Sequence, residues 1–400
     1  MNLKIKNKSG ITLVALIITI VVMLILVAVS INILVNSNLI GHAEKTGDAY
    51  AGAIKNEEKL GNDGITINDK EYASIDDYIE SRKPLPEGAG KKFTETKEYT
   101  DGTKTAVIPG GFTVSGIRKE TRIDEGLVIY LIPDDEIENV KWDGTEKTKY
   151  DQFVWIPVSN ANKMFMCQAK TESDSGCDLK IEGNEVICQT HKTADATKSK
   201  NMAGRLYATG AGESFNSSLT TQTYNANSGL REPAKLSSTN SSFVDQEEEP
   251  NLDLQTEYNN AVKKVIESKG FWIGRYETTG MSSSNDDIAV NIVAGKGTSD
   301  GIGDVNWYRM YKQQQNYANK KNLDTSKIQS TMIFGAAYDQ TMIFANCEKA
   351  TTSAKDYSAV ITGNVETDCY KNIYDLCGNL REWTTEANNT YYRISRGRQL

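Results

Sequence analysis

Histidine is nearly absent from this 400-residue chain. Only His42 and His191 occur, far apart in sequence, which argues against a histidine-rich zinc site. The six cysteines, Cys167, Cys177, Cys188, Cys347, Cys369 and Cys377, contain no C-x-x-C pair. A tightly spaced thiolate metal cluster is therefore not expected, and the thiols read either as free or as partners in disulfides. No basic block occurs either. Lys and Arg total 45 against 53 Asp and Glu, a net charge of −8, which argues against a nucleic-acid partner. No repeat with a period of about 20–50 residues is present, so solenoids are excluded.

What is present begins at the N-terminus. Residues 11–35 carry no charged side chain. As a helix rising about 1.5 Å per residue, such a run is long enough for a bilayer core of about 30 Å. Lys4, Lys6 and Lys8 precede it and no acid does. The expected placement is a single pass of the cell membrane, with residues 1–10 cytoplasmic and the rest outside, on the cell surface or a pilus. The leader Lys8-Ser9-Gly10, directly before Ile11-Thr12-Leu13-Val14-Ala15-Leu16, resembles the type IV prepilin pattern. That resemblance implies a cut between Gly10 and Ile11 by a prepilin peptidase, N-methylation of Ile11, and packing with other pilus subunits. Pilins carry Glu at the fifth mature position, where it pairs with a neighbour's amine. Ala15 stands there in this chain, so that buried charge pair is missing. The pattern is closer to pilin-like surface proteins than to major pilins.

Beyond the apolar run, a stem helix is expected to about Leu60, ended by Gly61-Asn62-Asp63-Gly64. A short helix is expected from Ser74 toward Arg82, with acids in its first turn. Pro84, Pro86, Gly88 and Gly90 then mark a linker. From about Tyr99 the texture becomes short strands, including 105–109 and 126–132, with helices near 254–268 and 308–320. The Ser/Thr/Asn-rich stretch from Thr197 to about Glu249 reads as long surface loops. The organisation is thus a leader (1–10), an apolar helix and stem (11–60), a linker with a short helix (61–98) and a head (99–400).

The head carries motifs in a fixed order: Phe153-Val-Trp-Ile-Pro-Val158, Phe271-Trp-Ile-Gly-Arg-Tyr-Glu277-Thr278, Val305-Asn306-Trp307-Tyr308, Ile373-Tyr374-Asp375-Leu376-Cys377-Gly378-Asn379-Leu380-Arg381-Glu382-Trp383-Thr384, and Arg393-Ile-Ser-Arg396-Gly397. Over about residues 150–397 this order resembles the formylglycine-generating (sulfatase-modifying factor) family. The resemblance implies an irregular, loop-rich α+β head of the C-type-lectin-like kind. The expected fold class is therefore α+β, a long N-terminal transmembrane helix followed by such a domain. Trp155, Trp272, Trp307 and Trp383 are expected in its core, each with one indole N–H to satisfy.

In the resembled family two reactive cysteines follow the G-N-x-W-E-W block, and here no cysteine follows Cys377. No catalytic residue is therefore assigned. The family's block also wraps calcium, which implies oxygen ligands from Cys377, Gly378, Leu380 and Glu382, with Arg381 standing where the family has Trp. The function expected is a pilin-like, membrane-anchored surface protein whose non-catalytic head binds a protein or glycan. Two alternatives stay open: a minor pilin or pseudopilin of a pilus or a type II secretion-like machine, and a divergent formylglycine-type oxidase.

Overall fold

The computed structural model describes residues 65–67, 70–169, 176–204, 254–285, 287–295, 305–346, 362–363, 369–376, 382–387 and 393–396, together with Met23. Among the described residues no helix is long and apolar enough to cross a membrane. This corrects the expected fold class and the expected localisation. The structure is mixed α/β with small antiparallel sheets, and neither the transmembrane helix nor the single-pass placement is retained. The longest described helix, Gln255–Ser268, has 14 residues and includes Glu257, Lys263, Lys264 and Glu267. A span needs about 20 mostly apolar residues. The run 11–35, apart from Met23, and the stem to Leu60 lie outside the described residues.

The chain forms two units, Met1–Pro84 and Leu85–Leu400. The first contains a short antiparallel pair, β1 (Ile65–Ile67) and β2 (Lys70–Tyr72), and helix α1 (Ile75–Arg82). The Tyr78 N–H donates to Ser74 O at 3.1 Å, and Tyr78 meets Tyr72 edge to face at 5.1 Å.

The second unit opens with a hairpin of β3 (Lys97–Thr100) and β4 (Thr105–Ile108). Then come β5 (Thr113–Val114), β6 (Val128–Leu131) and β7 (Asp151–Pro157). Helix α2 (Ala161–Met164) leads into β8 (Phe165–Cys167), followed by β9 (Leu179–Glu182), β10 (Glu185–Cys188) and β11 (Met202–Gly204). Helix α3 (Gln255–Ser268) feeds β12 (Gly270–Gly274). Helices α4 (Trp307–Gln315), α5 (Tyr317–Lys320) and α6 (Gly335–Ala345) precede two hairpins. These are β13 (Cys369–Tyr370) with β14 (Ile373–Tyr374), and β15 (Glu382–Ala387) with β16 (Arg393–Arg396).

The central sheet runs β12-β7-β6-β5, antiparallel throughout. Its period-two alternation divides the core. Val128, Tyr130, Val154 and Ile156 point to one face, where they meet Tyr338 and Ala345 of α6 and Ile373 and Leu376. Ile129 and Trp155 point to the other, onto Tyr99, Ala106 and Ile108 of the β3–β4 hairpin. Burial on both faces explains why β7 reads as an almost unbroken apolar run. Trp155 and Trp272 face each other in register, ring centroids 5.1 Å apart. The Trp272 indole N–H donates to Val107 O at 3.0 Å. Trp155 Nε1 is buried with no acceptor among the described residues, so its area decides its place.

One buried ion pair ties the sheet together. Arg275, directly after β12, lies 2.7 Å from Glu120, in the loop between β5 and β6. Glu120 also accepts from the Ser115 hydroxyl at 2.7 Å and the Tyr130 hydroxyl at 2.8 Å. Arg275 donates to Gln152 Oε1 of β7 at 2.9 Å. Removing one partner of such a pair strands the other charge, at a cost of about 3–5 kcal/mol. Glu120→Ala should therefore lower the unfolding free energy of the second unit by that order. Glu120→Leu combined with Arg275→Met should recover most of the loss. Urea titration followed by Trp fluorescence distinguishes these outcomes.

Candidate metal centre

Between β7 and α3 the chain makes an excursion, residues 165–204, built from very short strands. β8 pairs with β11, and β9 with β10. The β9–β10 turn is Gly183-Asn184, with Gly183 at φ 61, the left-handed region that favours glycine at this position of a two-residue hairpin loop. Asn162 Oδ1 accepts the Leu179 N–H at 3.0 Å, fixing the start of β9 against α2. After β10 the chain reverses: the His191 N–H donates to Cys188 O at 3.3 Å and the Gln189 N–H to Asp178 O at 2.8 Å.

These turns bring four side chains to one point. Cys167 ends β8, Cys177 precedes β9, Cys188 ends β10, and His191 closes the reversal. Their ligand atoms all lie within 4.8 Å of one another, and all four residues are buried. Cys167 Sγ is 3.9 Å from Cys177 Sγ. His191 Nδ1 is 3.3 Å from Cys167 Sγ, 3.8 Å from Cys177 Sγ and 3.2 Å from Cys188 Sγ. Tetrahedral zinc, with bonds of about 2.3 Å to sulfur and about 2.0–2.1 Å to nitrogen, places ligand atoms about 3.8 Å (S to S) and about 3.6 Å (S to N) apart. The three S-to-N distances, 3.2–3.8 Å, bracket the second value, and the Cys167–Cys177 distance of 3.9 Å is close to the first.

The Cys167 N–H donates to Cys177 Sγ at 3.5 Å, the kind of bond that favours a thiolate. The Cys177 thiol is held down to about 5, first by the hydrogen bond from Cys167 and then by that N–H, Cys188 and His191. Cys167 is pushed up by its contact with Cys177 and by burial, and Cys188 by burial. Three soft sulfurs and an imidazole suit zinc, whereas calcium needs hard oxygen ligands.

The centre packs on α3. Tyr258, Val262 and Val265 share a hydrophobic cluster with Cys167, Cys177, Cys188 and Met202. Asn259 Oδ1 accepts the Met202 N–H at 2.9 Å, and Gln255 Nε2 donates to Met202 O at 2.9 Å.

The sequence did not reveal that Cys167, Cys177, Cys188 and His191 come together. The ligands are brought together by the long-range β8–β11 pair and the β9–β10 hairpin rather than by local spacing. One local signal was available, Cys188-Gln-Thr-His191, a C-x-x-H pair. None of Cys167, Cys177, Cys188 and Cys369 is in a disulfide. The stretch expected to be loops from Thr197 holds the strand β11 at 202–204, and the remainder from 205 lies outside the described residues.

The other predicted positions fall elsewhere. Gly10, Ile11, Cys377, Gly378 and Leu380 lie outside the described residues. Glu382 opens β15 in register with Arg396. Trp155 and Trp307 are buried. Trp272 and Trp383 are half-buried, and Trp383 packs on the cluster holding Trp307. The motif segments meet in pairs. Asn306 caps α4 by accepting the Arg309 N–H, and the Trp307 indole donates to Thr384 O at 2.8 Å. Tyr276 stacks on Tyr374 with centroids 5.1 Å apart, and Arg275 lies over both rings. Asp375, at φ 63, accepts from Thr362 Oγ1 at 2.6 Å and from the Gly363 N–H at 2.9 Å.

Comparison of the chain with protein-family models, with curated proteins and with solved structures finds no match.

Cobalt(II), which reports tetrahedral thiolate coordination by its visible and charge-transfer bands, should bind the reduced chain at one equivalent. Cys188→Ser should weaken that binding by at least about tenfold, since a thiolate ligand is lost. Cys369→Ser should leave it unchanged. A spectrum lacking sulfur-to-cobalt charge transfer would contradict the assignment.

Proposed function

We propose that the second unit is the non-catalytic binding head of a pilin-like display protein, and that a zinc ion held by Cys167, Cys177, Cys188 and His191 is its structural staple. The closed, buried four-ligand set carries this reading. Structural zinc sites fill all four positions with protein side chains, whereas catalytic ones keep one for water or substrate. Here the protein supplies all four ligands, each less than 7% exposed.

The buried charges also support a scaffold. The buried charges among and beside the motif residues serve one another and the backbone. Arg275 holds Glu120. Asp151 accepts the Ile292 N–H at 2.7 Å and pairs with Lys321 at 2.8 Å. Asp375 holds the turn at Thr362 and Gly363. The Gly10-Ile11 leader motif supports the pilin-like part, and the binding partner is a protein or a glycan.

Elemental analysis of the full chain purified without chelator should find one zinc per chain and no stoichiometric calcium. With free zinc about 100–1,000 times Kd, the bound ion should stabilise the native state by about 3–4 kcal/mol. A strong chelator should therefore lower the midpoint of thermal unfolding. A chain that carries no zinc and unfolds identically with and without it would overturn the staple. Zinc-loaded chain that finds no binder on broad glycan and protein arrays would overturn the binding head.

A further inference from the structure

Three thiols share one metal site, but they are not equivalent. Cys167 is held in β8 opposite Met202, and Cys188 in β10 opposite Leu179. Cys177 lies outside both ladders, two residues before β9. Cys167 and Cys188 are fully buried, whereas Cys177 retains 6% exposure. Its sulfur is 3.9 Å from that of Cys167, and a disulfide needs about 2.0 Å. The pair can therefore close by movement of Cys177 alone, leaving the β8–β11 and β9–β10 registers intact. Cys369 belongs to a different cluster, with Tyr276, Ala294 and Tyr374, and does not compete.

We infer that zinc and a Cys167–Cys177 disulfide are alternative staples of this one site, exchanged by peroxide. The inference rests on the zinc reading above. The Cys177 thiolate attacks one peroxide oxygen, breaking the O–O bond. It becomes a sulfenic acid as the other oxygen leaves and is protonated to water. The Cys167 thiolate then attacks the sulfenic sulfur. The S–S bond forms, and the departing hydroxide takes a proton to give a second water. Two thiolates, one hydrogen peroxide and two protons thus yield one disulfide and two waters. Two sulfurs are oxidised and the peroxide is reduced. Zinc is left with Cys188 and His191 alone, a set too small to hold it, and departs as the divalent ion. A thiol reductant reverses the bond, and the site reloads. Both states tie the end of β8 to Cys177, two residues before β9, so the excursion keeps a crosslink whether metal or oxidant prevails.

The test uses the full chain, reduced and loaded with zinc, in buffer holding a chromogenic zinc chelator too weak to strip the site. One equivalent of hydrogen peroxide should release close to one zinc per chain. Non-reducing peptide mapping should find Cys167 joined to Cys177. A dithiol reductant followed by zinc should restore the bound metal, and Cys369→Ser should behave as the parent chain. Zinc that stays bound through a severalfold excess of peroxide overturns the exchange, and so does a bridge from Cys188 to either neighbour. A chain that takes up no zinc before any peroxide is added overturns the staple and this inference together. The two failures are therefore read at different steps.

Discussion

A full positive charge sits where almost no water reaches, and the arrangement of the second unit depends on its partner. Arg275 follows β12, and Glu120 comes from the loop between β5 and β6. Tyr130 of β6 and Gln152 of β7 complete the polar cage. Tyr276, the next residue in the chain, and the distant Tyr374 both lie against the guanidinium. A buried pair of this kind adds little net stability over an apolar replacement, but every packing that separates its members is heavily penalised. The pair therefore selects one arrangement of strands. All three polar contacts fall on one guanidinium nitrogen, Nη1, and the guanidinium carbon lies over the Tyr276 and Tyr374 rings, a planar stacking that a lysine ammonium does not reproduce.

The excursion at 165–204 obeys a different constraint. Its strands are three or four residues long, and isolated two-stranded ribbons of that length are marginal. Ordering them costs about 1–2 kcal/mol per residue in backbone entropy. The apolar side chains available lie mostly on the face toward α3. A metal ion held by all four side chains of the candidate centre would add crosslinks there, the usual recourse of small substructures.

Strands β4 and β6 were legible in the sequence as the apolar runs 105–109 and 126–132, whereas β7 and β12 were read only as motif segments. Trp155 and Trp272 were expected in the core, but their pairing across β7 and β12 comes from the structure alone. The helix expected over 308–320 is present but divided at Asn316, which serves as the C-cap of α4 and the N-cap of α5. Helix α6 was not legible: Gly335 to Asp339, Thr341 and Ala345 are all buried. A helix enclosed on most sides shows no apolar stripe of period 3.6. The metal centre was illegible for a topological reason. Three of its four ligands come from separate segments, and only Cys188 and His191 are neighbours in sequence.

The grip of α3 on Met202 has a consequence for association between chains. A two-stranded ribbon presents two open edges, each a template for another strand. On β11 the outward N–H and C=O of Met202 are occupied by Asn259 and Gln255. Gln168 Nε2 anchors the same helix residue, Gln255, at 2.7 Å. At Met202 the edge of β11 is thereby occupied by side-chain amides that imitate a neighbouring strand without being one. The excursion can carry three oxidisable cysteines without offering β11 at Met202 to a second copy for sheet extension.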